Sequence, residues 1–158
     1  GYGPLDTQAS DGSIKFYSRP DSRTLIYTAL SAGTVRDATG SAQLFVGGDT
    51  GLRGYPRNYQ SGDNRVVFNV EDRVYTDWYP FRLFRVGGAV FYDFGRAWGG
   101  PTANTEHTGW LSDVGVGLRF LSARSAYGNV LHLDLAFPLN RDPNIRRVQF
   151  LVQTQATF

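Results

Sequence analysis

The chain has 158 residues, 41% of them hydrophobic and 15% aromatic, with a formal net charge of +2. So many aromatic residues exclude a disordered chain, and scattered charges, mostly arginine, give no support to nucleic-acid binding. The absence of cysteine excludes a disulfide scaffold, a thiolate metal site and a cysteine nucleophile.

Methionine is absent as well, so the chain reads as a mature or excised segment. No stretch approaches the ~18 consecutive apolar residues that a membrane helix needs. Helical periodicity is almost missing, while period-2 alternation is strong, above all in the second half. In chain order, three weaker strands are expected at 13–19, 23–35 and 41–47. Five clearer ones follow. Over 65–76, Val66, Phe68, Val70 and Val74 share one face, opposite Arg65, Asn69, Glu71, Arg73 and Tyr75. Over 84–95, Phe84, Val86, Val90, Tyr92 and Phe94 oppose Arg85, Gly87, Ala89, Phe91 and Asp93. Over 112–121, Val114, Val116, Leu118 and Phe120 oppose Asp113, Gly115, Gly117 and Arg119. Over 129–137, Leu131, Leu133, Leu135 and Phe137 oppose His132 and Asp134; over 147–158, Val148, Phe150, Val152 and Phe158 oppose Gln149, Gln153 and Gln155. The expectation is an all-β, antiparallel fold of eight strands, since no strand–helix alternation is present.

The mean hydropathy of −0.31 is that of a water-soluble protein, but a membrane barrel has the same average because its strands alternate apolar-out and polar-in. Alternation alone does not separate the two. Three features favour the membrane. Connections alternate long (47–64, 96–110) and short (77–81, 122–127), as external loops and periplasmic turns do. Tyr75, Trp78, Tyr79, Phe81, Trp98 and Trp110 stand at strand ends, where interfacial girdles form. Phe158 ends the last strand on the apolar face, at the short-turn side, like a C-terminal assembly signal. Asp72 breaks the apolar face: either a charge near the periplasmic rim, or a residue that a bulge turns inward.

The loop 47–56, G-G-D-T-G-L-R-G-Y-P, carries Gly47, Gly48 and Gly51, which permit positive φ and a tight fold-back. Arg53 on such a loop is either a solvated loop charge or a side chain tucked into the lumen, where Glu71 and Asp93 lie on the inward faces of consecutive strands. In the second case an arginine between two carboxylates makes charge-assisted bonds that fix the loop, and its fork permits a bidentate pair. The segment 88–98, G-A-V-F-Y-D-F-G-R-A-W, follows one strand–turn unit later. The first segment resembles the [VL]-R-G-[FY] loop motif, and the second the G-x-x-F-x-D-x-G strand motif with Phe91, Asp93 and Gly95, of the BamA/TamA-like outer-membrane protein superfamily, the bacterial surface antigens. The resemblance covers 41–158 well and 1–40 by position.

That resemblance implies a transmembrane β-barrel in the outer membrane of a Gram-negative bacterium, serving protein translocation and membrane protein assembly, with no enzyme activity and no cofactor. It implies that Arg53, followed by Gly54 and Tyr55, pairs with lumen acids for assembly and function. Its partners would be outer-membrane lipids and lipopolysaccharide, substrate proteins and a second copy of the chain, with no nucleic acid. The family barrel has about sixteen strands, so residues 1–158 correspond to its C-terminal half, with no POTRA repeat among them. A fragment of a longer barrel, a small closed barrel and a barrel of two chains all remain open. Alternatives in function are an anchor or exporter for an N-terminal passenger such as a patatin-like lipase, a small structural barrel, and a soluble ligand-binding barrel.

Other constellations are weaker. Ser112, Asp113, His132 and Asp134 supply the residue types of a hydrolase triad, but no G-x-S-x-G elbow exists. His107 beside Glu106 makes a poor metal site. The glycine-rich loop lacks the Lys-Ser/Thr ending and following helix of a phosphate cradle. Arg141, Arg146 and Arg147 read as a solvated loop rim.

Overall fold

A computed structural model describes residues 7–37, 42–101, 103, 107–122, 129–140 and 142–156. Among them are nine strands: β1 (Thr7–Ser18), β2 (Thr24–Asp37), β3 (Leu44–Val46), β4 (Gln60–Gly62), β5 (Asn64–Tyr75), β6 (Phe84–Trp98), β7 (Leu111–Ser122), β8 (Asn129–Pro138) and β9 (Gln149–Ala156). Seven form one antiparallel sheet in the order β1-β2-β5-β6-β7-β8-β9, and β3 pairs only with β4.

The expected count of eight is thus corrected to seven in the main sheet. The third expected strand, 41–47, does not join it. Gly47 and Gly48 follow β3 with φ of 128° and 57°, which turn the chain out of an extended path at once. The segment then folds back, so that Leu44 lies opposite Gly62 and Val46 opposite Gln60. Val46 is fully buried. Its apolar side chain goes into the core of a loop, not onto the outer face of the sheet.

Every strand pairs with its neighbour along the chain except across this loop, where β2 runs directly beside β5. Among the described residues β1 and β9 are the two edges, and the sheet is not closed by a pairing between them.

The two faces are inverted relative to a water-soluble sheet. Asp93, Asp113, Arg119 and Asp134 are fully buried, whereas Val90, Val116, Leu118, Phe150 and Val152 are each about half exposed or more. Burying charge while showing branched apolar side chains to water costs free energy twice. The arrangement is favourable where the outer face meets hydrocarbon. Asp72 lies opposite Ile26 and Val90 in an uninterrupted register, so no bulge turns it inward and it stays exposed on the outer face. It stands three residues from the β5 end, at the short-turn side, where such a charge costs least. Trp78, Tyr79, Phe81, Trp98 and Trp110 are exposed at strand ends. Tyr75 is the exception: it pairs with Gly87 on the inner face, near the Arg85 guanidinium.

Candidate functional site

The long segment between β2 and β5 lies across the inner face of the sheet. Its conformation begins with glycine: a Cβ on Gly47 would stand 2.1 Å from the Pro56 carbonyl oxygen, and its φ of 128° disfavours any side chain. The Gly48 N–H donates to the carbonyls of Leu52 and Tyr55, both at 2.8 Å, closing the turn. Gly51, with φ of 101°, backs onto Val67 and passes its carbonyl to Asn69 Nδ2 at 2.6 Å. The loop carries its own apolar core. Leu52, Tyr55 and Tyr59 pack with Val46 and with Val67, Ala97 and Leu111 of the sheet.

Arg53 projects from this loop into the wall. Its Nε and second terminal nitrogen donate to the two oxygens of Asp93 at 2.8 and 2.9 Å, a bidentate fork. The other terminal nitrogen donates to Glu71 at 2.6 Å and to Asp134 at 3.3 Å. The guanidinium carbon lies 3.4 Å from the centre of the Phe91 ring, so a cation–π contact completes the cage. The Phe91 ring needs the absence of a side chain at Gly115, where a Cβ would fall 2.1 Å from it. Gly54 lies flat on Asp113, whose Cβ would be 2.4 Å from a Cβ added there. Gly95, next in the strand motif, leaves room for the Val66 carbonyl and Val67.

The structure therefore brings Arg53, Glu71, Asp93 and Phe91 together, with Gly54 and Tyr55 holding the loop on either side. It also adds groups that the sequence reading did not assign. Glu71 accepts from Arg73 Nε at 2.6 Å and Arg119 Nε at 2.8 Å. Arg119 also bonds Asp134, and Asn69 donates to Asp93 at 2.8 Å. The signal for all four was the period-2 alternation, which put them on the inner face.

Three arginines thus face four acids, and the acid left over is Asp113. It lies directly across from Asp93, and neither of its oxygens has a hydrogen-bond partner among the described residues. Opposed like charges destabilise a strand pair. Asp113→Asn is therefore expected to leave stability unchanged or raise it, whereas Asp93→Asn lowers it. Urea unfolding midpoints of the two variants check the opposite signs.

The loop is also tied to its neighbours. The Tyr55 hydroxyl donates to the Ser112 carbonyl at 2.9 Å. Gln60 Nε2 donates to the His107 carbonyl at 2.8 Å, and its oxygen accepts from the Ala97 N–H at 2.7 Å. Tyr59 stacks on His107, with ring centres 4.1 Å apart, and its hydroxyl bonds Asp142. His107 Nδ1 lies 3.4 Å from the same carboxylate. Three loops at the long-loop end of the sheet meet at this point.

The Tyr59 hydroxyl and the Asn144 N–H hold the Asp142 carboxyl below its ordinary value, while burial, and then the Asp142 acceptor, push the Tyr59 hydroxyl up. A depressed carboxyl contributes stability above its unfolded value, about pH 4, and loses it as pH falls through the lower folded value. Near-ultraviolet circular dichroism of the tyrosines should hold steady at neutral pH and fall in that acid window. Asp142→Asn should show a weakened signal already at neutral pH.

Other expected residues sit apart. Ser112 faces outward, with its Oγ 3.3 Å from Asn140 Oδ1, while Asp113, His132 and Asp134 face inward. One residue of strand parity separates serine from histidine by the thickness of the sheet, so a serine triad does not assemble. Arg146 and Arg147 are exposed. Arg141, Glu106 and Phe158 lie outside the described residues.

A family model described as the Omp85 superfamily domain matches residues 21–155. This agrees, at the level of the superfamily, with the resemblance carried by the two motifs. No curated protein matches the chain.

Proposed function

The chain belongs to the Omp85 superfamily, a family of outer-membrane assembly and translocation proteins, and from that premise we propose that it forms part of the barrel wall of a protein assembly or translocation factor. In this reading residues 1–158 are the C-terminal portion of the barrel, and the loop carrying Leu52, Arg53, Gly54 and Tyr55 is a plug docked in its lumen. The observation that supports it is the Arg53 cage: a loop arginine bonded to acids of three strands, inside a sheet whose apolar face is turned outward. Nothing in this role requires covalent chemistry or a cofactor. The barrel supplies a shaped, lipid-spanning wall, and the plug sets what passes or docks.

Closure is part of the proposal. Two unpaired edges in hydrocarbon would leave rows of backbone donors and acceptors unsatisfied, at several kcal/mol each. The β1 and β9 edges are therefore paired in the membrane, by further strands of a longer chain or by a second copy. The mass of the detergent-extracted particle separates these: a monomer too small for more strands than those described contradicts the large-barrel reading.

Function is tested by depletion. Loss of the protein, or its replacement by the Arg53→Ala variant, should lower the amounts of several unrelated outer-membrane barrels together. Loss of a single exported passenger, with other barrels unchanged, would instead identify an exporter or anchor.

A further inference from the structure

On the outer face, towards the long-loop end, β6 carries a cation among apolar neighbours. Arg96 lies directly across from Val66, which lies across from Ala32, which lies across from Gly12. All four share the outer face with Phe94 and Trp98. Among the described residues no acidic side chain pairs with Arg96, and its Nε is buried without a hydrogen-bond partner. The guanidinium carbon is 6.0 Å from the centre of the Trp98 ring, and Trp110 stacks on Phe94 at 4.7 Å. Arg65, Arg73 and Arg119, on the inner face of the strands, and Arg53, which reaches that face from the loop, all have carboxylate partners.

Beside Arg96 the outer face is recessed. A shallow groove of about 680 Å³ runs over Ser10, Gly12, Ala32, Thr34, Val66 and Trp98; Asp11 and Arg65, which pair with each other, also line it. Its lining is mainly apolar because small residues on β1 and β2 leave the surface low between the bulkier side chains. Thr34 donates to Asn64 at 3.0 Å at the upper end, so the polar groups there satisfy one another and the groove below them stays apolar.

We propose that this face is a docking site for an anionic, phosphomonoester-bearing lipid of the outer leaflet, its phosphate on Arg96 and one acyl chain in the adjoining groove. The inference rests on the membrane-barrel reading and names a partner of that wall. An unpaired guanidinium in an aromatic girdle stands where lipid headgroups begin, and its planar fork matches a phosphate with two parallel bonds. The groove supplies what a free phosphate does not need: apolar area to bury an acyl chain.

The test inserts the protein into phosphatidylcholine nanodiscs with or without bisphosphorylated lipid A, and counts retained lipid by native mass spectrometry. The wild type should retain lipid A, whose phosphomonoesters are anionic and carry no cation of their own, in preference to zwitterionic phosphatidylcholine. Arg96→Gln should weaken that retention roughly tenfold, the loss of a charge-assisted pair of bonds. Ala32→Leu, which fills the groove without touching charge, should weaken it as well. Equal retention by wild type and Arg96→Gln, both inserted, would overturn the site and leave the barrel reading intact. Failure of the wild type to insert would overturn both. Competition by inorganic phosphate as effective as by the lipid would reduce the site to an anion contact and overturn lipid docking.

Discussion

Replacing Arg53 by alanine should unseat the loop and destabilise the wall by about 3–5 kcal/mol, the cost of removing one partner from a buried ion cluster. The reason lies in what remains. Asp93 loses both bonds of its fork, Glu71 and Asp134 each lose a donor, and all three carboxylates are almost completely buried. Asn69 still reaches Asp93, and Arg119 still reaches Glu71 and Asp134, so the wall is weakened more than abolished. Arg53→Lys keeps the charge but forfeits the fork, which joins Asp93, Glu71 and Asp134 at once, and should recover only part of the loss. Loss of heat-resistant electrophoretic mobility, with recovery ordered wild type, lysine, alanine, checks the prediction. Equal mobility of all three would show the cage to be ornamental.

Glu71→Ala should be as costly, for the opposite charge. Glu71 is the acid at which three guanidiniums converge, those of Arg53, Arg73 and Arg119. Without it, Arg119, fully buried, keeps one acid, Asp134, and the Leu118 carbonyl, and Arg73 has no other ion pair among the described residues. Two buried cations with too few acids repel each other across the space that Glu71 had filled. A loss of about 3–5 kcal/mol follows, and Glu71→Gln should recover little because it accepts a hydrogen bond but carries no charge. Arg53→Ala and Glu71→Ala share one interaction, so their effects should fall short of additivity by about 1–3 kcal/mol. Additive losses in a denaturant double-mutant cycle would mean that the two residues act independently.

Much of this site was readable from the residues. Alternation put Glu71, Asp93, Arg119 and Asp134 on one face, and the loop and strand motifs pointed Arg53 at the first two. What alternation does not give is height. Which inward residues stand level depends on strand stagger, set by pairings such as Gly117 with Asp134 and Asn69 with Asp93. For that reason Arg119, Arg73 and Asn69 were placed on the correct face without being assigned to the cage.

The Leu44–Val46 run shows a second limit. Three apolar residues read alike whether they meet lipid or a loop core, and only the fold-back after Gly47 sends Val46 inward. The Tyr59–His107–Asp142 contact was illegible for a similar reason, since three loops far apart in sequence converge only once the sheet has set their starting points. Ser112 shows how much hangs on parity: a single residue decides whether a side chain shares a face with His132.

The central claim is that the loop around Arg53 is docked inside the wall by its ion pairs. Hydrogen exchange of the membrane-embedded protein, followed over residues 47–62 in the wild type and in Arg53→Ala, tests this most directly. The account predicts slow exchange for the Gly48 and Tyr55 amides, which are bonded within the loop, and a large acceleration of both in the variant. Exchange in the wild type as fast as in an open loop, unchanged by the substitution, would contradict it.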